Sequence, residues 1–284
     1  MSKTNEQKAP GDFDPGERLR SLYEPDGGVR EVFSSKVADY VASRPGYPDA
    51  LFNALAGLCD LPEKAMIADV GAGTGLFSRG LLERGYRVAA IEPNAAMRQA
   101  AQAALSHYPG YQSLAGSAES IPLGARSVDL ITAAQAFHWF EVEAARTECL
   151  RVLTDVGQVA LVWNDRAPND PLEKEFDTIF AEFGGEKRAA LVAHEDRADV
   201  PVFFGGQLYR EFAWPNEHVL DESGLASLFY SRSYMPERAS KAGQAVLERA
   251  RALFKRSAVD GHIVVRYRTI AMIGRPQLPG TKGA

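Results

Sequence analysis

The spacing of apolar residues changes along the chain, and each change marks the start of a new kind of structure. Between residues 32 and 58 the apolar positions recur at helical intervals, with one interruption at Arg44-Pro45-Gly46-Tyr47-Pro48. Proline disfavours helical geometry in the residue before it, so this pattern predicts two helices joined by a turn. Residues 1–32 are rich in glycine and proline and show no periodicity, which predicts a flexible tail or a lid that becomes ordered over a ligand.

From residue 66 onward, short apolar runs alternate with stretches of helical spacing. The runs lie at residues 66–70, 87–91, 111–115, 128–134 and 159–163, with helical stretches at 76–83, 94–105 and 142–153. This alternation is typical of βαβ units, whose strands form a parallel sheet with helices on both faces. Because crossovers are right-handed, the pattern predicts an α/β fold with a three-layer, doubly wound, Rossmann-like sheet.

The alternation stops after residue 165. Residues 166–206 have a polar, helical pattern, followed by strand-like spacing at 208–220, a helix at 236–256 and a closing strand at 262–273. We therefore predict a core at residues 33–165 that includes an N-terminal helical cap. A C-terminal cap region is expected to be inserted at 166–245, and residues 246–284 are expected to return to the core.

Composition and charge exclude several classes of protein. The chain is 45% hydrophobic and 24% charged, which is typical of a globular protein, and no apolar run is long enough to span a bilayer. Cys59 and Cys149 form no CxxC pair and the N-terminus has no signal-peptide core, so we expect a cytoplasmic location and neither disulfides nor structural zinc.

The net charge of −5 argues against nucleic acid as the main partner. Residues 229–284 nevertheless carry 11 Lys and Arg against three Asp and Glu. This excess of positive charge has two interpretations, a solvated basic helix or an attraction for an anionic substrate. For the assembly we expect a monomer or a homodimer.

A glycine-rich turn follows the first predicted strand. Gly71, Gly73 and Gly75 give the spacing G-x-G-x-G, whereas a dinucleotide fingerprint would place its last glycine where Leu76 stands. Glycines here let a ligand approach the backbone, and a helix start offers free N–H groups. The spacing favours a nucleoside with an amino-acid tail over NAD.

An acidic residue, Glu92, ends the second predicted strand. A carboxylate at this edge can accept both hydroxyls of a ribose. The alternative is that Glu92 interacts with the dipole of the next helix, for which Asn94 is a good N-cap.

These motifs together resemble the class I S-adenosylmethionine (SAM)-dependent methyltransferases. Four stretches occur in the order of that family, namely DVGAGTG at 69–75, IEPN at 91–94, GSAE at 116–119 and DLIT at 129–132. Tyr40, residues 44–48 and the FHWF motif at 137–140 resemble the small-molecule branch that includes trans-aconitate methyltransferase. The resemblance covers residues 33–166 and is loose beyond residue 170.

The resemblance implies SAM as the cofactor. It places the methionine amino group at Asp69, the ribose hydroxyls at Glu92 and the sulfonium near the end of the fourth strand. Tyr40 and Arg44 would cover the site. The cofactor-binding residues implied in this way are Tyr40, Arg44, Asp69, Gly71, Ala72, Gly73, Thr74, Gly75, Glu92, Pro93, Asn94, Met97, Ser117, Ala118, Glu119, Ala134 and Gln135.

Residues after the fourth and fifth strands are candidates for the acceptor side. Because the ordinary pKa of histidine lies near neutral pH, His138 could act as a general base, with Phe137 and Trp139 shaping the pocket; the alternative is a packed aromatic corner. Asn164 could orient an acceptor oxygen and Arg166 a carboxylate, or both could belong to a plain loop. Tyr230 could lie in a lid, although packing at a helix end is the alternative.

We therefore predict an enzyme that transfers a methyl group from SAM to a small organic acceptor, without a metal ion and with neither nucleic acid nor membrane as partner. The alternatives are a methyltransferase acting on a macromolecule, a SAM-binding module without turnover, and an NAD-dependent oxidoreductase. Against nucleobase methylation, the fourth strand is followed by AQAFHW and not by the Asn/Asp-Pro-Pro-aromatic motif of flipped-base chemistry.

Overall fold

The computed structural model describes residues 21–194, 197–206 and 208–277. Short 3₁₀ helices lie at Glu24–Asp26 and Phe137–Trp139. The α-helices are α1 (Val29–Ser43), α2 (Asp49–Leu58), α3 (Leu76–Leu82), α4 (Ala95–Leu105), α5 (Val142–Val152), α6 (Glu173–His194), α7 (Asp199–Phe204), α8 (Glu222–Tyr230) and α9 (Lys241–Ser257). The strands are β1 (Met66–Val70), β2 (Arg87–Ile91), β3 (Tyr111–Leu114), β4 (Val128–Ala134), β5 (Leu153–Arg166), β6 (Tyr209–Leu220) and β7 (Ile263–Gly274).

The strands form one seven-stranded sheet in the order β3-β2-β1-β4-β5-β7-β6. Strands β1 to β5 are parallel, while β7 is antiparallel to both of its neighbours, β5 and β6. The predicted doubly wound α/β sheet is thereby confirmed. The chain winds outward from β1 through β2 to β3 and then returns to β4, so the strand order reverses between β1 and β4. Ligands of such sheets bind in the crevice at this reversal, beyond the carboxyl ends of the strands.

Apolar layers cover both faces of the sheet. Neighbouring residues of β1 point to opposite sides: Ile67 packs with α2 and α3, and Ala68 packs in the layer that contains α5 and α7. The same alternation holds for Leu130 and Ile131 in β4. Burial of each large apolar side chain contributes about 1.5–3 kcal/mol, so the sheet is a rigid platform for the loops at its edge.

Residues 166–245, which the sequence pattern assigns to a cap, contribute both to the sheet and to a separate helical layer. Strand β6 pairs with β7 from Tyr209 to Leu220 and forms the edge of the sheet. Helices α6, α8 and α9 pack together over the N-terminal half of β7 through an apolar cluster that includes Phe176, Phe229 and Leu253. Helix α8 was not predicted from the sequence. Among the described helices, none combines the length and the apolar character that a bilayer-spanning helix needs.

Five of the eleven basic residues near the C-terminus lie on α9, and its three arginines pair with carboxylates of the cap. Arg249 pairs with Glu182 (2.9 Å). Arg251 and Arg256 pair with Glu222 (3.2 Å) and Glu175 (3.0 Å), respectively. These partly exposed pairs favour the interpretation as a solvated helix, since their charges are satisfied within the chain.

The N-terminal segment packs against the cap from residue 21 onward. Tyr23 is fully buried, its hydroxyl is hydrogen-bonded to Ser233 Oγ (2.8 Å), and its ring meets Trp139 edge-to-face at 5.5 Å. The buried Lys36 of α1 donates to the carbonyl oxygens of Tyr230 (3.2 Å) and Met235 (2.9 Å). Residues 1–20, the first part of the predicted tail or lid, lie outside the described residues.

Candidate active site

A first cavity of ≈ 280 Å³ opens beyond the carboxyl ends of β1, β2 and β4. It contains twelve of the residues expected at the cofactor site: Tyr40, Gly71, Gly73, Glu92, Pro93, Asn94, Met97, Ser117, Ala118, Glu119, Ala134 and Gln135. Four further residues line this cavity that were not among the expected cofactor-binding residues. They are Phe33, Ala136, Phe140 and Trp139, of which Trp139 was expected on the acceptor side.

A second, smaller cavity of ≈ 30 Å³ lies beside the first and shares Tyr40, Gly71, Ala134 and Gln135 with it. Its lining adds three more of the expected residues, Arg44, Asp69 and Ala72. Thr74 and Gly75 line neither cavity. The residues predicted from widely separated motifs thus meet at one edge of the sheet.

The three glycines of the turn have left-handed backbone geometry, with φ of +71° at Gly71, +57° at Gly73 and +81° at Gly75. A Cβ atom would lie 2.5 Å from the side chain of Ala136 at Gly71 and 2.4 Å from that of Leu105 at Gly75. At Gly73 it would meet nothing within 4 Å. Two of the glycines therefore permit close packing, while the third keeps the floor of the first cavity open.

The backbone amides of this turn are largely used by the protein itself. The N–H groups of Gly71 and Ala72 both donate to the carbonyl oxygen of Ile91, at 2.8 Å and 3.1 Å. That of Gly73 donates to Glu92 Oε2 (3.0 Å). The N–H groups of these three residues are therefore engaged within the chain, and the turn itself provides close approach, whereas the expectation of free N–H groups concerned the start of α3.

Glu92 is nearly buried, and both of its carboxylate oxygens are held by the backbone. Oε2 accepts from Gly73, and Oε1 accepts from the N–H of Asn94 (2.8 Å). Burial raises the pKa of this carboxyl, while the two backbone hydrogen bonds oppose the rise. The helix is capped by Asn94 itself, which accepts from the N–H of Met97 (2.8 Å), so Glu92 is fixed at the cavity with acceptor capacity remaining on each oxygen.

Asp69 is a buried carboxylate beside the second cavity. Its Oδ1 accepts from Thr132 Oγ1 (2.8 Å) and its Oδ2 from Ser78 Oγ (2.6 Å). Burial raises the pKa of Asp69 to about 6, against the lowering effect of these hydrogen bonds. Among the described residues no cation pairs with it, so a positive group of a ligand would find an unneutralised charge here.

Arg44 places the opposite charge on the same cavity. Its guanidinium donates to the carbonyl oxygen of Ser231 (3.0 Å) and lies 4.6 Å from the ring centroid of Tyr40. Its buried Nε has no hydrogen-bond partner among the described residues. Burial, together with the nearby charge of Arg232, lowers the pKa of Arg44. A buried carboxylate and a buried guanidinium thus line one small cavity, and their opposite charges could meet the two ends of a zwitterionic group.

A third cavity of ≈ 400 Å³ lies between the end of β5 and α6. Its lining is rich in charged and aromatic residues and consists of Gln135, Trp163, Asn164, Asp165, Arg166, Glu173, Asp177, Phe180, Arg188, Leu191, Val192, Arg197, Arg232 and Tyr234. Gln135 borders all three cavities.

The backbone of Gln135 is left-handed, with φ of +56°. Its N–H donates to the carbonyl oxygen of Val162 (2.8 Å), and its Nε2 donates to that of Asn164 (3.2 Å). A non-glycine residue in this geometry costs about 1–3 kcal/mol and is held there only by its surroundings. The strained residue therefore lies at the junction between the expected cofactor site and the third cavity.

The residues expected on the acceptor side are only partly brought together. Arg166 lines the third cavity, and Trp139 lines the first. Asn164 also borders the third cavity, but its side chain is engaged: Nδ2 donates to Gly46 O (3.1 Å), and Oδ1 accepts from Thr269 Oγ1 (2.5 Å). This amide therefore joins β5 to β7 and to the loop at residue 46, and the alternative of a plain loop is wrong because Asn164 and Arg166 lie within β5.

The other three residues line none of these cavities. Phe137 is buried in the core, with its ring centroid 5.2 Å from that of Phe203. His138 lies half-buried on the 3₁₀ helix beside Trp139, at 4.9 Å between ring centroids. Tyr230 is buried and donates to the carbonyl oxygen of Gly243 (2.6 Å), so the expectation that it contacts the acceptor is corrected to packing at a helix end.

Comparisons with known proteins agree with this geometry. A family model described as a methyltransferase domain matches residues 68–161. An uncharacterized methyltransferase of Mycobacterium bovis is 35% identical over 222 residues, which cover 78% of this chain and 84% of the relative. An uncharacterized methyltransferase-like protein of Schizosaccharomyces pombe is 30% identical over 245 residues, covering 85% and 94%.

A solved structure from Anaeromyxobacter dehalogenans, provisionally described as a type II methyltransferase, has the same fold. Its TM-score is 0.57 at 23% identity, and the match covers 82% of this chain and 99% of that one.

Proposed function

This chain belongs to the class I SAM-dependent methyltransferases, and we propose that it methylates a small organic acceptor bound in the third cavity. The observation that carries the proposal is the position of Gln135, which borders both the expected cofactor site and a separate cavity of ≈ 400 Å³. Pockets for small ligands typically measure about 300–1,000 Å³. Within the family we place the chain in the small-molecule branch that includes trans-aconitate methyltransferase, on the motifs at residues 40–48 and 137–140.

The first two cavities would hold the cofactor. We assign the methionine amino group to Asp69, its carboxylate to Arg44 and the ribose hydroxyls to Glu92. This assignment is supported by the charges of Asp69 and Arg44, which no described residue neutralises. It is also supported by Glu92, whose carboxylate is fixed at the first cavity and can accept further hydrogen bonds. Met97 and Ala118, which line the first cavity, would lie against the adenine.

Bound SAM supplies an electrophilic methyl group on a positively charged sulfur. The acceptor's lone pair forms the new bond to carbon while the S–CH₃ bond breaks and leaves its electron pair on sulfur. The residues of the chain orient the acceptor in line with that bond, and orientation of this kind can contribute about 7–11 kcal/mol. Trp139 and Phe140 form an aromatic wall of the first cavity that would exclude water and face the positive sulfur.

The size of the third cavity favours a small acceptor over a macromolecule. Its walls come from β5, α6 and the segment around residues 232–234. The three arginines of α9, the groups that a polyanion would need, are paired with cap carboxylates. For the test, a cell extract is first divided by dialysis into small molecules and retained macromolecules. Each fraction is then incubated with the enzyme and SAM labelled in its methyl group, and labelled product is separated from unreacted SAM. We expect labelled product from the dialysable fraction, and product from the retained fraction alone would contradict the proposal.

His138 remains a hypothesis as a general base, and its position outside the three cavities argues for packing instead. Removal of a true base costs about 10²–10⁴-fold in rate. We expect His138→Ala to retain turnover within about threefold of the parent enzyme, with an unchanged pH profile. Turnover is measured as the rate of methyl transfer from labelled SAM to acceptors in the dialysable fraction. A loss of about 100-fold with intact cofactor binding would restore the catalytic role.

A further inference from the structure

We infer that the side chain of Gln135 binds the methyl acceptor and that the group it holds for methylation is a neutral amine. The inference rests on the proposed function, because it concerns the acceptor of the same methyl transfer. It goes beyond that proposal in assigning a hydrogen bond to one side chain and a chemical class to the atom that receives the methyl group.

The orientation of the Gln135 amide is fixed by the end of β4. Strand β4 ends at Ala134, whereas the neighbouring β5 continues to Arg166. The backbone N–H of Gln135 makes one last ladder bond, to the carbonyl oxygen of Val162 (2.8 Å). The carbonyl oxygen of Asn164, two residues further along β5, points to the same side, where β4 provides no further backbone donor. The Nε2 of Gln135 donates to it instead (3.2 Å).

The other end of this amide is available to a ligand. Because the carbonyl oxygen of Asn164 only accepts hydrogen bonds, the amide nitrogen of Gln135 must face it and the side-chain oxygen Oε1 must face away. No described residue donates to Oε1, and this atom is not sealed in the protein interior. Gln135 borders all three cavities. Oε1 therefore offers a hydrogen-bond acceptor where the expected cofactor site meets the third cavity.

Two features hold the amide in one place. The left-handed backbone of Gln135, with φ of +56°, is a strained geometry that persists in a non-glycine residue only where the surroundings impose it. Its partner Asn164 is itself fixed, by hydrogen bonds of its side chain to Thr269 Oγ1 (2.5 Å) and to the carbonyl oxygen of Gly46 (3.1 Å). Strained residues held in this way cluster at functional sites, and a fixed amide binds a ligand without first having to be ordered.

The charge of the site favours a neutral amine as the group that Oε1 holds. The lining of the third cavity contains four arginines against three acids, and the sulfonium of SAM would add a positive charge in the adjoining cofactor site. Nearby positive charges lower the pKa of an amine, because they disfavour its protonated form. The amine would therefore lie at Gln135 with its lone pair available for the attack and with an N–H for Oε1.

An amine also needs no base during the methyl transfer. Its lone pair forms the new N–CH₃ bond while the S–CH₃ bond breaks and leaves its electron pair on sulfur, and the methylated ammonium then releases a proton to water. Positive charge thus moves from sulfur to nitrogen, where the carbonyl dipole of Gln135 stabilises it. A neutral hydroxyl would have to lose its proton during the attack, and an amide oxygen is too weak a base to take it. The residues that line the three cavities include no histidine for this task.

The first test identifies the atom that receives the methyl group. SAM with a ¹³C-labelled methyl group is incubated with the enzyme and the dialysable fraction of a cell extract, and nuclear magnetic resonance gives the chemical shift of the transferred carbon. We expect the principal product to carry its label on nitrogen. Label on oxygen, carbon or sulfur overturns the inference, whereas the absence of any labelled product from this fraction contradicts the proposed function itself.

Two substitutions separate the bond to the amine from the bond to Asn164. Gln135→Met keeps the length of the side chain and loses both bonds, while Gln135→Glu loses the donor to Asn164 and keeps an oxygen for the amine. At saturating SAM we expect turnover to fall by about 30-fold or more in Gln135→Met and to stay within about fivefold of the parent in Gln135→Glu. If Gln135 only secures the end of β5, Gln135→Glu will be as slow as Gln135→Met or slower, because its carboxylate is repelled by the carbonyl oxygen. That result overturns the inference.

Gln244→Met is the matched control. The Nε2 of Gln244, on α9, likewise donates to a backbone carbonyl oxygen, that of Arg238 (2.7 Å), and Gln244 is exposed and lines none of the three cavities. We expect parental turnover in this variant, and in Gln135→Met an affinity for S-adenosylhomocysteine within about threefold of the parent. A loss of that affinity as large as the loss of turnover would assign Gln135 to the cofactor and overturn the inference.

Discussion

Replacement of Gly73 by arginine is expected to abolish binding of S-adenosylhomocysteine, with an affinity loss of about 1,000-fold or more. Gly73 lies on the floor of the first cavity, and a Cβ there would meet nothing within 4 Å. The long side chain would therefore extend into the ≈ 280 Å³ space where the nucleoside is expected and would bring its guanidinium toward Glu92. Titration calorimetry on the purified variant measures the loss.

A second glycine provides the control for backbone strain. Gly85, in the exposed turn between α3 and β2, has φ of +82° and also has nothing within 4 Å of a built Cβ. Both substitutions force an arginine into left-handed geometry, which costs about 1 kcal/mol or more. Similar losses of thermal stability are expected in both, with loss of binding in Gly73→Arg alone; parental affinity in that variant would refute the placement of the cofactor.

Asp69→Asn is expected to weaken S-adenosylhomocysteine binding by about 100-fold and to stabilise the cofactor-free protein. The buried carboxylate, whose pKa rises from 3.8 to about 6, costs about 3 kcal/mol to ionise at neutral pH relative to the unfolded chain. The amide keeps the shape of the side chain and can still bond to Ser78 and Thr132. Calorimetry and thermal unfolding at pH 7.5 measure the two effects, and a variant that is less stable yet binds normally would contradict the assignment.

The same residue gives cofactor binding a pH dependence with a defined sign. Above a pH of about 6 Asp69 is ionised and can pair with the amino cation, and below it the folded, cofactor-free protein holds a neutral carboxyl. Affinity should therefore fall as the pH drops through about 6, with proton release on binding below that value. In the folding equilibrium, the raised pKa favours the folded state at low pH, and this contribution is lost as the pH rises from 3.8 to about 6. Asp69→Asn should remove both dependences.

The parallel half of the fold could be predicted from the sequence because its signals are local. The predicted bounds of β1, β2 and β4 agree with the structure, and Asn94 caps α4 as expected. Strands buried on both faces are continuous apolar runs, and glycine turns separate them from helices. The cofactor side of the site follows from the same signals, because parallel strands bring their carboxyl ends to one edge.

The remaining features depend on contacts between distant parts of the chain. Tyr23 belongs to a segment whose glycines and prolines indicate a loop, yet its burial depends on Trp139 and Ser233. Helix α8 is short and is stabilised by the cap cluster, so its pattern alone was not sufficient. Arg232 has no motif around it, and it lines the third cavity because the preceding helix α8 packs against α1 and against the rings of α6.

The position of Gln135 between the first and third cavities has a consequence for the evolution and redesign of this enzyme. The first cavity is built from residues 33–140, whereas the third draws its walls from residues 163–234, and Gln135 alone belongs to both linings. On the assignment proposed above, mutations in α6 and the 232–234 segment would alter which compound is accepted without changing the linings of the two cavities assigned to the methyl donor. Directed libraries confined to α6 and the 232–234 segment should yield new selectivities on an unchanged donor scaffold.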